Sequence, residues 1–295
     1  MNNSLYDFQA AIHTAGMTPP EYIEPGKMHR FAGAGKRPSN RAGWCLLFDD
    51  GLGGCFGDWS TGLNDTWQAK HDKAYTQAEH AAFIQRVTSA KPQLQADLKT
   101  KRTHAAQRAK TIWEATYPAP ADFPYLLNKG IKPHGARLHK NLLVLPVINI
   151  NNTITSLQFI AKDGNKKLLS GGQKQGCFIQ VSGNSRDPSK VIICEGWATG
   201  CTLTKDEPSA TVLAAIDAGN LERVALAVRL QQPNITLVVA GDDDRQTQGN
   251  PGATKARAAA IAADALLALP QWPEDAPKHL TDYNDLALWL ARGQA

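Results

Sequence analysis

Three apolar runs constrain this chain most: VIIC at 191–194, ATVLAA at 210–215 and ITLVVA at 235–240. None alternates polar and apolar residues, as a half-exposed strand would, so each reads as a strand buried on both faces. Between and after them lie helix-length stretches, near 197–205, 221–231 and 254–269. A β-α-β-α-β-α order with connections of this length predicts a parallel sheet covered by helices on both sides. Such sheets place their chemistry in the loops at the carboxyl ends of the strands. Two of the three runs end in acid: the first leads into Glu195-Gly196, the last into Gly241-Asp242-Asp243-Asp244. Gly196 and Gly241 lack side chains where a phosphate or metal would need to approach the backbone.

Carboxylates at adjacent strand ends repel one another by a few kcal/mol per close pair at an effective dielectric near ~20. Either some protonate or a divalent cation neutralises them. An all-oxygen donor set favours magnesium or manganese over zinc, and magnesium keeps waters that it exchanges for substrate phosphates. The competing reading makes 242–244 a solvated turn whose acids favour the N-terminus of the next helix. Glu195 at a second strand end weighs against it. Asp243, between the other two, is expected to point away from them.

The rest of the chain differs in character. Ser4 caps an expected short helix with Leu5, Phe8 and Ile12 on one face and Gly16 at its end. From 28 to about 62, Gly-rich turns separate short apolar runs, which predicts a small antiparallel β unit. There Trp44, Phe56 and Trp59 suit either a packed core or stacking on unpaired bases. Thr76 and Glu79 form a capping box ahead of Ala82, Phe83 and Val87, and Pro92 is expected to start a second helix carrying Leu94, Leu98, Ala105, Ala109 and Ile112. That helix exposes Lys99, Lys101, Arg102, Arg108 and Lys110, a face that is either solvated or follows a phosphate backbone. Prolines 118, 120 and 124 mark a boundary, and strands are expected at 142–150, 153–161 and 177–181.

Charge divides along the same lines. Residues 1–116 hold 14 basic and 11 acidic side chains, 117–190 hold 10 and 3, and 191–295 hold 8 and 13. A basic middle beside an acidic end suits a protein that grips a polyanion and gathers cations at a separate centre. Arg137, Lys162, Lys166, Lys167 and Lys174 are candidate contacts to a triphosphate or template. Arg245, beside the acids, either pairs with them or touches a phosphate. The five cysteines form no C-x-x-C pair, and no apolar run reaches membrane-span length. Together with the absence of a basic-then-apolar leader, these predict a cytoplasmic protein without a disulfide framework and with no membrane partner. His29, His71, His80 and His104 show no metal-ligand spacing, and no G-x-x-x-x-G-K-[ST] loop occurs.

The pair formed by VIICEG at 191–196 and D-x-D-R at 242–245 resembles the motif of Toprim domains, found in primases, topoisomerases and some nucleases. AIDAGNL at 215–221, the run from Asp242 through Gly252 with Thr254-Lys255-Ala256, and TDYNDL at 281–286 narrow the resemblance to Toprim primases of phages and plasmids. Upstream, FPYLLNKGIKPHG at 123–135, KKLLSGG at 166–172 and FGDWSTG at 56–62 extend it over most of the chain. It implies an α/β fold in which a Toprim catalytic domain, a Rossmann-like parallel sheet, occupies 191–295. Ahead of it would lie a basic α+β subdomain at 117–190, a helical segment at 65–116 and a small N-terminal β unit with its leading helix at 1–64.

The resemblance also implies Glu195 as acid–base or metal-binding glutamate, Asp242 and Asp244 as metal ligands, and Asp282 and Asp285 as outlying acids. Lys255 joins the nucleotide-contacting set, while Asp217, Gly219, Asn220 and Asn284 are further motif positions. Primases of this kind often carry an N-terminal zinc ribbon. Here Cys45 and Cys55 lack the partners a closed tetrahedral site needs, so no zinc is expected. The implied activity is primer synthesis on single-stranded DNA from nucleoside triphosphates with Mg2+ or Mn2+, beside a separate replicative helicase. A metal-dependent Toprim nuclease and a non-catalytic nucleic-acid-binding accessory are the alternatives.

Overall fold

The computed structural model describes residues 2–69, 76–183 and 188–293. His71 lies outside them, as does the side chain of Leu94. The chain forms two compact units, Met1–Leu98 and Lys99–Ala295.

In the first unit, helix α1 (Asn2–Thr14) buries Phe8 and Ile12 completely, and Gly16 ends it in the left-handed region at φ +80°. The helix begins ahead of Ser4, which sits inside it rather than capping it. Strands β1 (Met28–Phe31), β2 (Gly43–Leu47), β3 (Gly53–Asp58) and β4 (Leu63–Gln68) form an antiparallel meander in chain order, the expected β unit carried to Gln68. Trp44 and Phe56 are buried, and Trp44 stacks on Trp59 at 5.1 Å between ring centroids, so core packing accounts for the first two aromatics. Cys45 and Cys55 are buried in the same small unit.

The capping box is present: the Thr76 backbone N–H and hydroxyl both donate to Glu79 Oε2 at 2.8 Å, and the Glu79 N–H donates back to Thr76 Oγ1. The helix it opens, α2 (Gln77–Glu114), runs for 38 residues straight through Pro92. The expected break there does not occur. Proline in a helix interior removes one hydrogen bond, and the long run of helix-favouring residues on both sides carries the helix across that gap.

The second unit contains two further sheets. Strands β5 (Tyr117–Pro118), β6 (Arg137–His139), β7 (Leu142–Ile148), β8 (Ile154–Ile160) and β9 (Lys166–Leu168) form an antiparallel sheet in chain order, with a short helix α3 (Pro124–Lys129) between β5 and β6. Pro124 starts α3, where its missing N–H costs nothing, and Gly130 at φ +59° ends it.

The third sheet has the order β10 (Ile179–Ser182), β12 (Thr211–Ala214), β11 (Lys190–Cys194), β13 (Thr236–Ala240), β14 (Leu266–Ala268). The last four are parallel, and β10 adds an antiparallel edge from ahead of residue 190. Alternate residues of each strand enter opposite cores. Ile192, Cys194, Val212 and Val238 pack with α4 (Trp197–Asp206) and the antiparallel sheet, whereas Val191, Ile193, Leu213 and Val239 pack under α5 (Leu221–Gln231) and α6 (Pro251–Ala262). Helix α6 stops at Ala262, short of the expected 269, and Asp264 at φ +48° turns the chain into β14. The three-residue strand is hidden in the sequence because Ala and Leu favour helix, and only pairing with Val238–Ala240 makes it a strand.

Candidate active site

Register decides what the acids do together. Cys194, the last residue of β11, lies opposite Ala240, the last of β13, so Glu195 and the 242–244 turn leave neighbouring strands at the same sheet edge. Adjacent strands sit about 4.8 Å apart, which brings carboxylates 47 positions apart in sequence into one pocket.

Asp242 lies at its centre. Burial, then Glu195, Asp282, Asp244 and Asp285, push its carboxyl up to about 8. Its Oδ1 is shut off from solvent and has no hydrogen-bond partner. Burial also raises Glu195, with Asp217 and Asp244 adding to the effect while an Ala218 backbone hydrogen bond and Lys166 oppose it. Asp282, raised by burial and Asp285, sits just before helix α7 (Tyr283–Gly293), where its Oδ1 accepts the Asp285 N–H at 2.8 Å. Asp244 Oδ2 accepts the Gly252 N–H at 2.9 Å at the start of α6. Asp244 therefore takes its place at a helix N-terminus while still contributing to the acidic centre.

Asp243 turns away, as expected, but into definite contacts: Asn250 Nδ2 donates to its Oδ1 at 2.6 Å and Trp272 Nε1 to its Oδ2 at 2.9 Å. Gly241 serves packing rather than ligand approach. A Cβ there would run into Ala256 Cβ and lie 3.0 Å from Leu269 Cδ2, so the missing side chain lets α6 and the 269 segment close over β13.

Cations border the pocket. Lys166 on β9 is an exposed residue whose charge is felt by the acids: burial of its ammonium and then Lys129 lower its pKa, while Asp282, Glu195 and Asp242 oppose that shift. Lys129 pairs with Asp285 at 3.4 Å, a contact for which the sequence offered no signal beyond its place in FPYLLNKGIKPHG at 123–135. Asn284 is buried and donates to the Lys129 carbonyl (2.8 Å) and to Thr202 Oγ1 (3.0 Å), tying α7 to α3 and α4. Asn220 donates to the carbonyls of Lys174, Cys177 and Ala215 and accepts the Gly176 N–H, which docks the 174–177 turn beside Asp217 and Gly219. Lys174 then pairs with Asp217 at 2.5 Å.

Two expected phosphate contacts have other partners. Arg245 donates to the carbonyls of Pro277 (2.7 Å) and Leu280 (3.3 Å) and stacks on Trp272 at 4.2 Å. Arg137 donates to the Trp113 carbonyl and stacks on that ring at 4.3 Å. In each case the guanidinium stacks on an indole and donates to backbone carbonyls, which engages it away from the pocket. Lys162, Lys167 and Lys255 are exposed.

A divalent cation suits this pocket in donor chemistry: oxygens only, mutual repulsion to relieve and one buried oxygen without a partner. Among the described residues no three His, Cys, Asp or Glu side chains converge to enclose an ion by themselves.

Residues 190–294 match the Toprim domain family. Across 87% of its length the chain is 34% identical to a DNA primase TraC of Escherichia coli and 31% identical to a second protein of that name and organism. It spans a quarter of the first and 19% of the second. Among solved structures, it overlays primase domains in a bacteriophage T7 lagging-strand DNA polymerase assembly with a TM-score of 0.40 at 15% identity, covering 59% of this chain and 86% of that one. The primase fragment of the T7 primase-helicase protein gives 0.38 at 15% identity, covering 55% and 68%.

Proposed function

We propose, on the premise that residues 190–294 are a Toprim domain in a chain related to the DNA primases of mobile elements, that this protein synthesises short primers on single-stranded DNA from nucleoside triphosphates. The observation that carries the reading is Asp242, whose buried, unpartnered oxygen lies among Glu195, Asp244 and Asp282 at one sheet edge.

In primer synthesis the 3′-hydroxyl of one nucleotide attacks the α-phosphate of the next, and pyrophosphate leaves. Asp242 and Asp244 would hold a magnesium or manganese ion, which Glu195 would help to position and which would supply positive charge at the phosphates. Glu195, with its raised proton affinity, is placed to accept the hydroxyl proton. Lys166, whose charge is felt by Asp282, Glu195 and Asp242, contacts the triphosphate or the template by charge. Lys162 and Lys167, exposed on the basic 117–190 segment, hold the template through its phosphates. Strand separation falls to a separate helicase, since the chain has no nucleotide-driven motor motif.

Incubation with single-stranded template, labelled nucleotides and Mg2+ tests this. New short oligomers support the proposal. A shortened template points to a Toprim nuclease, and a mobility shift without product to a binding accessory; either result rejects it.

A further inference from the structure

The middle aspartate and the arginine of the D-D-D-R run stand outside the pocket, yet both grip the same segment. The Asp243 N–H donates to the Thr281 carbonyl at 2.7 Å, immediately before Asp282. Its carboxylate takes the Trp272 indole N–H at one oxygen and the Asn250 amide at the other. Arg245 lies over the Trp272 ring and donates to the carbonyls of Pro277 and Leu280. The stretch from Trp272 to Thr281 has no helix or strand of its own. Within it, turns pair Ala276 N–H with the Pro273 carbonyl and Leu280 N–H with the Pro277 carbonyl, and the contacts of Asp243 and Arg245 are what tie those turns to the rest of the domain.

We infer that Asp243, Arg245 and Trp272 form a clamp that positions Asp282 against Asp242, so the D-D-D-R run places the last acid of the centre as well as supplying Asp242 and Asp244. Trp272 is the unforeseen member. Its ring supports the guanidinium and its N–H fixes the carboxylate, so both arms of the clamp meet on one side chain. The identity of the acidic centre as a metal site rests on the proposed function; the clamp itself does not.

Amide hydrogen exchange tests the clamp without metal or nucleotide. In Trp272→Phe, which keeps the ring and loses the donor, and in Arg245→Met, exchange across 277–285 should rise about five- to tenfold, the scale of one lost hydrogen bond. Amides in β11 and β13 should stay as protected as in the parent chain. Unchanged exchange at 277–285 overturns the inference.

Mn2+ binding, followed by electron paramagnetic resonance of the full chain, provides a second arm. Each variant should weaken Mn2+ by roughly tenfold. In an Asp282→Asn background the same changes should add almost nothing, whereas additive losses mean a merely structural role and overturn the inference. Asp243→Asn, which keeps an acceptor for the indole, should lose less than Asp243→Ala. Should the parent chain bind no Mn2+, the metal-centre reading falls and the exchange result alone decides the clamp.

Discussion

Asp242 is held where its ionisation is opposed from every side, first by burial and then by four carboxylates. Its folded affinity for a proton lies above that of the unfolded chain, so its contribution to stability is complete below the ordinary carboxylate range and is lost as pH rises through about 8. In the presence of a chelator, the melting temperature should therefore fall between pH 5 and pH 9, and Asp242→Asn should flatten that fall. Added Mg2+ should raise the melting temperature more at pH 8.5 than at pH 6, because the cation binds the deprotonated form. Equal stabilisation at both values argues against an ion on Asp242. For catalysis, Asp242→Asn and Glu195→Gln should each lower primer synthesis at least ~100-fold, the scale of a lost electrostatic contact in the transition state, with far smaller changes in template affinity. Primer yield and filter binding on the same preparations check both halves, and full activity in both variants rejects the assignment.

At the scale of elements, the site depends on how closely α6 lies on β13. Gly241 and Gly252 set that distance: a Cβ on Gly252 would come within 2.7 Å of the Asp242 carbonyl and 2.9 Å of Asp244 Oδ2. Gly241→Ala, forced against Ala256, should destabilise the fold by about 1–3 kcal/mol, the usual cost of overpacking. Urea denaturation measures this, and an unchanged midpoint would mean that α6 shifts freely. The same closeness explains what could be read in advance and what could not. Strands β11, β12 and β13 were legible because their apolar runs are dense and bounded. Strand β14 was not, since Ala and Leu favour helix and pairing with β13 prevailed; nor was the continuity of α2, since Pro92 signals a break that the helix-favouring residues around it override.

For the whole molecule, the basic 117–190 stretch and the acidic 191–295 stretch belong to one compact unit, sharing a core in which Leu143, Leu145 and Val147 pack with Ile192, Val212 and Trp197. Template affinity should then come from exposed lysines that border the acids without neutralising them. Lys166→Ala with Lys167→Ala should weaken single-stranded DNA binding and reduce the slope of its salt dependence by about 1–2 counterions, measured by titration at several salt concentrations. An unaltered slope removes them from the template path.

The order of strands β11, β12 and β13 with the helices between them, the acids at two strand ends and the charge division were all determined by residue pattern alone, because periodicity and turn chemistry act over a few neighbouring positions. Which partners Arg137 and Arg245 take, how the 272–281 segment is tied down and where Asp282 comes to rest were decided only by tertiary structure. A guanidinium or carboxylate takes whichever partner the fold leaves unsatisfied nearby, and no local spacing encodes that.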